Sequence, residues 1–358
     1  MKTIYKILLI CVLFPLAISA TNKDGKYTKN KVIKKEFRVS NDATLNILNK
    51  YGNIDIVTWN ENTISIEVNI TTNGDNEEKV KEKLDAITID FNGNNSSVSA
   101  KTIIEKVSNS WSFWGKNNNV SMEINYQIKM PVTNNINLSN DYGSISIDKL
   151  EGTSKINCDY GKLNIGELLN SNNQLNIDYT NNSKIQYMKD GSINADYSTL
   201  HVEKAGRITL NADYSHLSFG MLVDLNFDCD YGDLKIESAG NLKGNSDYMH
   251  TTIGKLNGTA NFNIDYGSLK ISDLSNNFKL LKVQSSYTHI KLGINTNNSF
   301  NIDATLSYGS IKGANEFTFN KETSNTSSNY YEGFYNKPST SSTISVKSSY
   351  GSVTIFNN

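Results

Sequence analysis

Proline and arginine are scarce in this sequence, and each shortage narrows what the chain can be. Of three prolines, only Pro131 and Pro338 lie beyond residue 20. Because proline interrupts the hydrogen bonds between strands, its scarcity leaves room for extensive β-structure. The only arginines are Arg38 and Arg207, and 35 basic residues nearly balance 36 acidic ones. Nucleic-acid binding relies on clustered basic residues, so no nucleic-acid partner is expected.

Long apolar runs are also missing beyond the first twenty residues. Residues 7–16 form one apolar run, which is shorter than the roughly 20 residues that a membrane span needs. The run follows Lys2 and Lys6 and precedes a cleavage site of small residues, Ala17, Ser19 and Ala20. This pattern predicts a signal peptide over residues 1–20. We therefore expect an exported protein of the periplasm, cell surface or extracellular space, with no transmembrane segment in the mature chain.

Recognised catalytic motifs are missing as well. The sequence contains no His-Glu-x-x-His, no Gly-x-Ser-x-Gly and no glycine-rich phosphate loop. We therefore predict no catalytic residues, no cofactor and no metal site, and a protein that is not an enzyme.

What the sequence does contain is a tyrosine repeat with a spacing of 17–21 residues. Each repeat tyrosine follows Asp or Ser, and most precede glycine or a small polar residue. That small residue suits a corner with an unusual backbone angle. The motif occurs first at Tyr142, Tyr160, Tyr179, Tyr197, Tyr214, Tyr231, Tyr248 and Tyr266. It returns at Tyr287 and Tyr308 and, 42 residues later, at Tyr350.

Within each repeat the apolar residues alternate with polar ones. Ile264 precedes the corner after Tyr266, and Leu269 and Ile271 follow it at every second position. This pattern predicts a strand, a turn and a second strand, each buried on one face. Because one such unit cannot bury its own apolar face, we expect successive repeats to stack. The predicted fold is all-β: a right-handed parallel β-helix, or β-solenoid, over residues 131–358. An antiparallel sandwich remains the alternative.

Residues 21–130 differ from the repeats and are predicted to form an N-terminal β-rich cap. Strands are expected at 32–39, 44–48, 54–57, 64–70, 87–91, 98–104 and 120–130. One short helix is expected at 77–86, because Val80 and Leu84 share one face. The stretch from Tyr51 to Ile56 already matches the repeat. A cap is needed because an open solenoid end exposes unpaired strand edges.

The chain resembles the bacterial putative-adhesin family, whose members are exported adhesin-like β-helix proteins of unknown function. Three stretches carry the resemblance: Tyr51 to Ile56 followed by Trp59, Met130-Pro131 ahead of Leu138, and Gly143 to Ile147 with Leu150-Glu151-Gly152. The resemblance implies an exported solenoid outside the membrane, with no catalytic residues to carry over. This chain departs from the family pattern by placing tyrosine before glycine in most repeats.

Two cysteines follow the predicted signal peptide, Cys158 and Cys229. Each lies two residues before a repeat tyrosine, and the two repeats are four apart. At ~4.8 Å per stacked strand they would be roughly 19 Å apart, beyond the ~7 Å limit for a disulfide. We predict two buried free thiols that act as small core residues.

Stacking would align the residues beside the tyrosines into columns. An aspartate precedes the tyrosine in eight repeats, at Asp141, Asp159, Asp178, Asp196, Asp213, Asp230, Asp247 and Asp265. We expect each carboxylate to accept a local turn hydrogen bond, and a bound cation is the alternative. The tyrosines share parity with the apolar residue before them, which predicts a structural ladder rather than a sugar-binding platform.

Two further groups are candidates for function. His216, Asp233 and His250 occupy the same place in three successive repeats, where they would form either an exposed charged line or a transition-metal set. A polar tract at 321–342 is predicted to be a loop inserted into a repeat, and its aromatic residues Tyr330, Tyr331, Phe334 and Tyr335 are predicted to bind a partner. The alternative is a disordered loop, or a loop that folds over the end of the stack and caps it.

The sequence therefore predicts a non-enzymatic surface or scaffold protein of the cell envelope that binds a glycan or an envelope protein. The alternative is a carbohydrate-active β-helix enzyme that uses the aspartates against a polysaccharide.

Overall fold

The computed structural model describes residues 25–105, 120–338 and 340–358. The predicted signal peptide, residues 1–20, lies outside the described residues. The described part is all-β, as predicted, with 24 strands and one α-helix. In the N-terminal region the elements are β1 (Tyr27–Arg38), β2 (Thr44–Lys50), β3 (Ile54–Trp59), β4 (Thr63–Gly74), α1 (Glu77–Asp85), β5 (Ile87–Gly93), β6 (Ser97–Ile104) and β7 (Ser121–Pro131).

The strands of the repeats follow from residue 135 onward. They are β8 (Asn135–Asp141), β9 (Ser144–Leu150), β10 (Ser154–Asp159), β11 (Lys162–Leu168), β12 (Asn173–Asp178), β13 (Ser183–Asp196), β14 (Thr199–Leu256), β15 (Thr259–Asp265), β16 (Ser268–Leu274), β17 (Leu280–Ser286), β18 (His289–Ile294), β19 (Phe300–Ser307), β20 (Ile311–Lys312), β21 (Phe317–Ser324), β22 (Ser328–Tyr335), β23 (Thr343–Ser349) and β24 (Val353–Asn357).

Successive repeats pair in parallel and in register, in two ladders. The first ladder contains the strand before each repeat tyrosine, and the second contains the strand after it. In the first ladder Asp159 pairs with both Asp141 and Asp178, so equivalent residues lie side by side. In the second ladder Ile165 of β11 pairs with Ile147 of β9 in the same way. The repeat in the sequence is therefore a repeat in space.

Strand β14 spans 58 residues and contributes to both ladders. A straight strand of that length would extend roughly 190 Å at ~3.3 Å per residue. Instead its backbone turns at Tyr214, Tyr231 and Tyr248, where φ is 52°, 55° and 56°. The rings of these three tyrosines stack on one another, so β14 passes through several stacked repeats.

The alternating apolar residues of both ladders form one hydrophobic core. Ile136 and Leu138 of β8 and Ile145 and Ile147 of β9 are at most 2% exposed. Their polar neighbours in the chain point outward, as the period of two predicts. Burying one such side chain contributes about 1.5–3 kcal/mol, and the pattern recurs in every repeat. The core therefore extends along the whole stack.

Antiparallel strands and the helix cover the N-terminal end of the stack. Strand β4 pairs antiparallel with β1 and β7, and β5 pairs antiparallel with β6. Helix α1 begins after Asn76, whose side chain accepts a hydrogen bond from the Lys79 amide at 3.0 Å. Val80 and Leu84, predicted to share one face of the helix, are both buried. The helix and every strand expected in residues 25–105 and 120–131 are present.

The order of repeats in space departs from chain order at both ends. Strand β2 lies between β6 and β8, and β3 lies between β7 and β9, so the Tyr51 repeat fits between two later segments. At the other end β23 lies between β17 and β19, and β24 lies between β18 and β20. The outermost repeats of the sequence are therefore paired on both sides.

The prediction of an inserted loop at 321–342 is wrong for most of that range, because the chain there forms strands. Strands β21 and β22 form an antiparallel hairpin, and β22 also pairs antiparallel with β19. The polar composition of the tract favoured a loop, whereas Tyr331 and Tyr335 share one face of β22 and pack inward. The hairpin covers the C-terminal end of the first ladder.

Candidate functional site: an exposed tyrosine ladder

Twelve repeat tyrosines form one continuous stack of rings, which we call the tyrosine ladder. Adjacent ring centroids are 4.7–5.2 Å apart, and adjacent ring planes differ by 1–10°. The order in space is Tyr51, Tyr142, Tyr160, Tyr179, Tyr197, Tyr214, Tyr231, Tyr248, Tyr266, Tyr287, Tyr350 and Tyr308. At ~4.8 Å per step the ladder is roughly 50 Å long.

The ladder lies on the outside of the molecule, which corrects the expectation from parity. Each of its tyrosines is 39–60% exposed. The cause is the backbone, because φ is positive at all twelve, between 50° and 61°. The left-handed conformation turns the side chain away from the core, so the alternation of the preceding strand does not continue through the corner.

The unusual backbone angle was expected at the residue after the tyrosine, but the left-handed residue is the tyrosine itself; of the residues that follow the twelve tyrosines, Gly232 alone has a positive φ, of 157°. Where the following residue is serine, its side chain points into the core. Ser198 and Ser215 are 2% exposed, and the Ser215 hydroxyl donates to the Ala195 carbonyl at 2.8 Å. Where the residue is glycine, the neighbouring repeat leaves no room for a side chain. A Cβ at Gly143 would collide with the carbonyl of Gly52.

Stability alone does not account for tyrosine at these corners. A left-handed residue with a Cβ costs roughly 1–2 kcal/mol, whereas glycine and asparagine accept this conformation readily. One stacked ring pair contributes ~0.5–1.5 kcal/mol. The two effects nearly cancel in each repeat, and the exposed ring surface remains to be explained.

Replacing one ladder tyrosine separates these effects. Tyr197→Asn and Tyr197→Ala both remove the ring contacts with Tyr179 and Tyr214, but only alanine keeps the left-handed penalty. We expect the alanine variant to be less stable than the asparagine variant by about 1 kcal/mol, measured by urea unfolding. Equal midpoints for the two variants would show that the positive φ carries no cost.

The aspartates before the tyrosines form a column along one side of the ladder. Three of the eight carboxylates, those of Asp196, Asp230 and Asp265, accept a hydrogen bond from a backbone amide of the next repeat, whereas a bond within the local turn was predicted. Asp196 accepts from the Asp213 amide at 3.1 Å, and Asp230 accepts from the Asp247 amide at 2.9 Å. Asp141 forms an ion pair with Lys50 at 2.7 Å. These contacts tie neighbouring repeats together.

Crowding of the carboxylates changes their ionisation. Partial burial and the neighbouring Asp196 raise the pKa of Asp178 above its ordinary value. Burial and flanking aspartates likewise raise the pKa values of Asp159, Asp213 and Asp247. By contrast, hydrogen bonds and ion pairing with Arg207 lower the pKa of Asp190, whose Oδ2 lies 2.8 Å from the guanidinium.

These opposite shifts predict opposite effects of amide substitution. The raised pKa means that ionisation of Asp178 destabilises the fold at neutral pH, so Asp178→Asn should stabilise it, by a small amount because water screens this exposed carboxylate. That gain should disappear as the pH falls toward the unfolded value near ~3.9. Asp190→Asn should instead lower the free energy of unfolding by about 1.5–3 kcal/mol at neutral pH. This difference from the wild type should shrink as the pH falls below ~3.9 toward the lowered pKa of Asp190.

Thermal unfolding of both variants between acid and neutral pH measures this contrast. Parallel shifts of the two variants with pH would contradict the assignment of the two environments.

The histidine line is only partly connected. His216 Nδ1 lies 2.7 Å from Asp233 Oδ2, but His250 Nδ1 bonds to the Ser268 hydroxyl at 2.9 Å. The three side chains predicted as a possible metal set therefore do not converge. Among the described residues, no group of three or more His, Cys, Asp or Glu side chains is arranged to hold a metal ion.

The two thiols are buried and free, as predicted. Cys158 and Cys229 are at most 1% exposed. Burial raises the pKa of each thiol to about 12, so neither is a reactive thiolate near neutral pH.

The aromatic residues of the hairpin divide into two groups. Tyr335 is 1% exposed, and its ring packs on Phe300 at 5.4 Å and on Phe317 at 5.2 Å. Tyr331 is 9% exposed and contacts Phe319. The expectation that these two tyrosines are exposed contact residues is wrong, because their side chains seal the end of the core.

Tyr330 and Phe334 are half-buried and remain candidates for contact with a partner. The Tyr330 hydroxyl donates to Glu332 at 2.9 Å, and Lys321 lies over the Tyr330 ring at 5.1 Å.

An amide ladder, which sequence analysis did not identify, runs beside the aspartate column. The side-chain amide of Asn176 donates to Asn157 at 2.7 Å, and Asn194 donates to Asn176 at 2.7 Å. Asn211 continues the line by donating to Asn194 at 3.3 Å. The signal was available, because an asparagine lies three residues before the tyrosine in each of these repeats. The ladder keeps the outer face of the stack flat and polar.

Comparisons with known proteins give weak likenesses to solved structures. One is a putative cell adhesion protein from Clostridium sporogenes, with 11% identity, 93% of this chain and 100% of that chain covered, and a TM-score of 0.19. A putative adhesin from Bacteroides fragilis shows 12% identity, with 92% and 97% covered and a TM-score of 0.26. A putative adhesin from Parabacteroides distasonis shows 8% identity, with 93% and 98% covered and a TM-score of 0.32.

The descriptions of these three structures agree with the family resemblance seen in the sequence. Neither a protein-family model nor a curated protein matches the chain. Within the described residues, α1 is too short and too polar to span a membrane, and no other helix is present to do so.

Proposed function

We propose that this chain is an exported, non-enzymatic surface or scaffold protein of the cell envelope, folded as a right-handed parallel β-helix. Its contact surface is the tyrosine ladder, and its partner is a glycan or another envelope protein. The observation that supports this proposal most directly is the exposure of twelve tyrosine rings in one line.

The size of that surface supports the proposal. A tyrosine presents roughly 150–250 Å², so twelve half-exposed rings present roughly 1,000 Å². The largest apolar patch on a typical monomer is about 300–600 Å², and larger patches mark interaction sites. A stack of in-register repeats also supplies the rigid support that a contact surface needs.

The stacking restricts how a glycan would bind. Each ring covers the face of its neighbour, so inside the ladder only ring edges and hydroxyls are available. Only the outward faces of the terminal rings, Tyr51 and Tyr308, are not covered by another ladder ring. A glycan lying along the ladder would therefore contact hydroxyls and the adjacent aspartates, by hydrogen bonds rather than by sugar-on-ring stacking.

Binding to glycan arrays and to envelope extracts tests the proposal. The ladder variant carries Tyr197→Asn, Tyr214→Asn and Tyr231→Asn, because asparagine accepts the left-handed backbone. The control variant carries Met221→Asn and Val223→Asn, two residues that are 50% and 58% exposed away from the ladder. We expect the ladder variant to lose the ligand and the control to keep it.

Two results would overturn the proposal. One is a ligand that both variants bind as the wild type does. The other is release of reducing sugar from a polysaccharide, abolished by one aspartate substitution such as Asp196→Asn, which would establish the carbohydrate-active enzyme instead.

A further inference from the structure

The tyrosine ladder has a shape that a second copy of this chain would match. Its rings repeat every 4.7–5.2 Å through twelve positions. A partner with a different period would lose register after a few repeats, whereas another copy keeps the same period along the full length. The exposed ring surface, roughly 1,000 Å², exceeds the ~800 Å² per partner that a standard stable interface buries.

Two columns of polar and charged side chains beside the ladder determine which orientation fits. The aspartate column precedes the tyrosines in the chain. A second exposed column lies two residues after them, and we call it the following column. Its members include Ser144, Lys162, Thr199, His216, Asp233, His250, Ser268 and His289. The following column therefore supplies mainly hydrogen-bond donors and basic groups.

Antiparallel pairing of two ladders sets one aspartate column against the other. Like charges in direct opposition are unfavourable across an interface. Parallel pairing about an axis along the stack sets each aspartate column against the partner's following column instead. In that arrangement Asp159 faces Lys162 of the same repeat in the other copy, Asp247 faces His250, and both contacts occur twice by symmetry. Asp233 is the acidic member of this set, and its Oδ2 lies 2.7 Å from Nδ1 of His216 in the preceding repeat.

We propose that two copies of this chain associate side by side and in parallel through their tyrosine ladders, with each aspartate column against the partner's following column. This inference rests on the proposed function insofar as both take the ladder as the contact surface. It adds the identity of one partner, a second copy of the chain, and the orientation of the pair.

Sedimentation equilibrium over a range of protein concentrations measures the association. Wild type should form a dimer, and the ladder variant Tyr197→Asn/Tyr214→Asn/Tyr231→Asn should weaken it by at least about a hundredfold, because buried tyrosines are typical hot spots and each substitution acts twice. The control Met221→Asn/Val223→Asn should dimerise as wild type does. A monomeric wild type at the highest soluble concentration, or equal effects of both variants, would overturn the inference.

Charge reversal tests the orientation separately. Asp159→Lys alone and Lys162→Asp alone should each weaken the dimer, and the double variant should restore it. Stronger association of Asp159→Lys alone would indicate antiparallel pairing and refute the parallel arrangement.

The two proposals fail in different ways. If the wild type is monomeric and the ladder variant loses the ligand, the proposed function is supported and the self-association is refuted. If the ladder variant no longer dimerises but binds the ligand as the wild type does, the self-association is supported and the proposed role of the ladder in ligand binding is refuted.

Discussion

Removing the last repeat, residues 343–358, is expected to destabilise the C-terminal end of the stack more than any single substitution. This repeat carries Ile344, Val346, Val353 and Ile355, all at most 4% exposed. At about 1.5–3 kcal/mol for each buried side chain, the loss is roughly 6–12 kcal/mol before the remaining chain relaxes. The deletion also leaves β17 and β19 without the strand that lies between them.

Thermal unfolding and limited proteolysis measure the effect of this deletion. We expect cleavage to begin within residues 287–342, because the Tyr308 repeat loses its contact with the rest of the first ladder. A chain lacking only Asn358 serves as the control and should unfold close to the wild type.

Adding the missing repeat as a separate peptide sharpens the test. A peptide of residues 340–358 should restore protection, because the gap between β17 and β19 offers hydrogen-bond partners on both sides. The same peptide with Ile344→Asp should not, since it would bury an unpaired carboxylate. If the shortened chain unfolds as the wild type does, the last repeat does not hold the end of the stack together.

Tyr335→Ala is expected to cost about 3–5 kcal/mol, the range for removing a buried aromatic side chain. The Tyr335 ring contacts Phe300 and Phe317, and its hydroxyl donates to Glu316 at 3.2 Å. The substitution opens a cavity where the hairpin meets the core. Urea unfolding followed by circular dichroism measures the loss.

Tyr330→Ala is the matched control on the same strand. Tyr330 is half-buried, and it contributes hydrogen bonds to Asp303 and Glu332 and the contact with Lys321. These are surface interactions, so we expect a cost of about 1 kcal/mol. Similar losses for the two tyrosines would contradict the division of the hairpin into a buried and an exposed side.

Each of these substitutions bears on partner binding in a different way. Any ligand lost on Tyr335→Ala should return under conditions that restore folding, because this side chain is not accessible. A ligand lost on Tyr330→Ala without loss of stability would place the hairpin in the contact surface. That role stays a prediction for Tyr330 and Phe334.

The period of two predicted the strands because burial of alternate side chains is a local property of extended chain. Ile264, Leu269 and Ile271 are buried where the pattern places them. The shared face of Val80 and Leu84 likewise predicted α1, and both side chains are buried in the structure. The burial of Cys158 and Cys229 followed from the same alternation.

The direction of the tyrosine side chains was not predictable from the same pattern. Alternation assumes that the backbone stays extended, and a single left-handed residue reverses the side on which its side chain emerges. Tyrosine rarely adopts this conformation, so nothing in the residue type indicated it. The recurrence of tyrosine at each corner was visible, but its exposure was not.

The sequence by itself determined the repeat and the strands within it, which depend on neighbours close in the chain, and the nearly constant spacing of the repeat predicted the alignment of equivalent residues. Tertiary structure alone decided that the first and last repeats lie between other repeats, that the aromatic tract is a hairpin and that the tyrosines face solvent. The physical reason is that similar strands compete for the same edges. The local patterns of these strands are nearly identical. The order of the strands in the sheet is therefore set by which arrangement pairs the most strand edges and buries the most apolar surface.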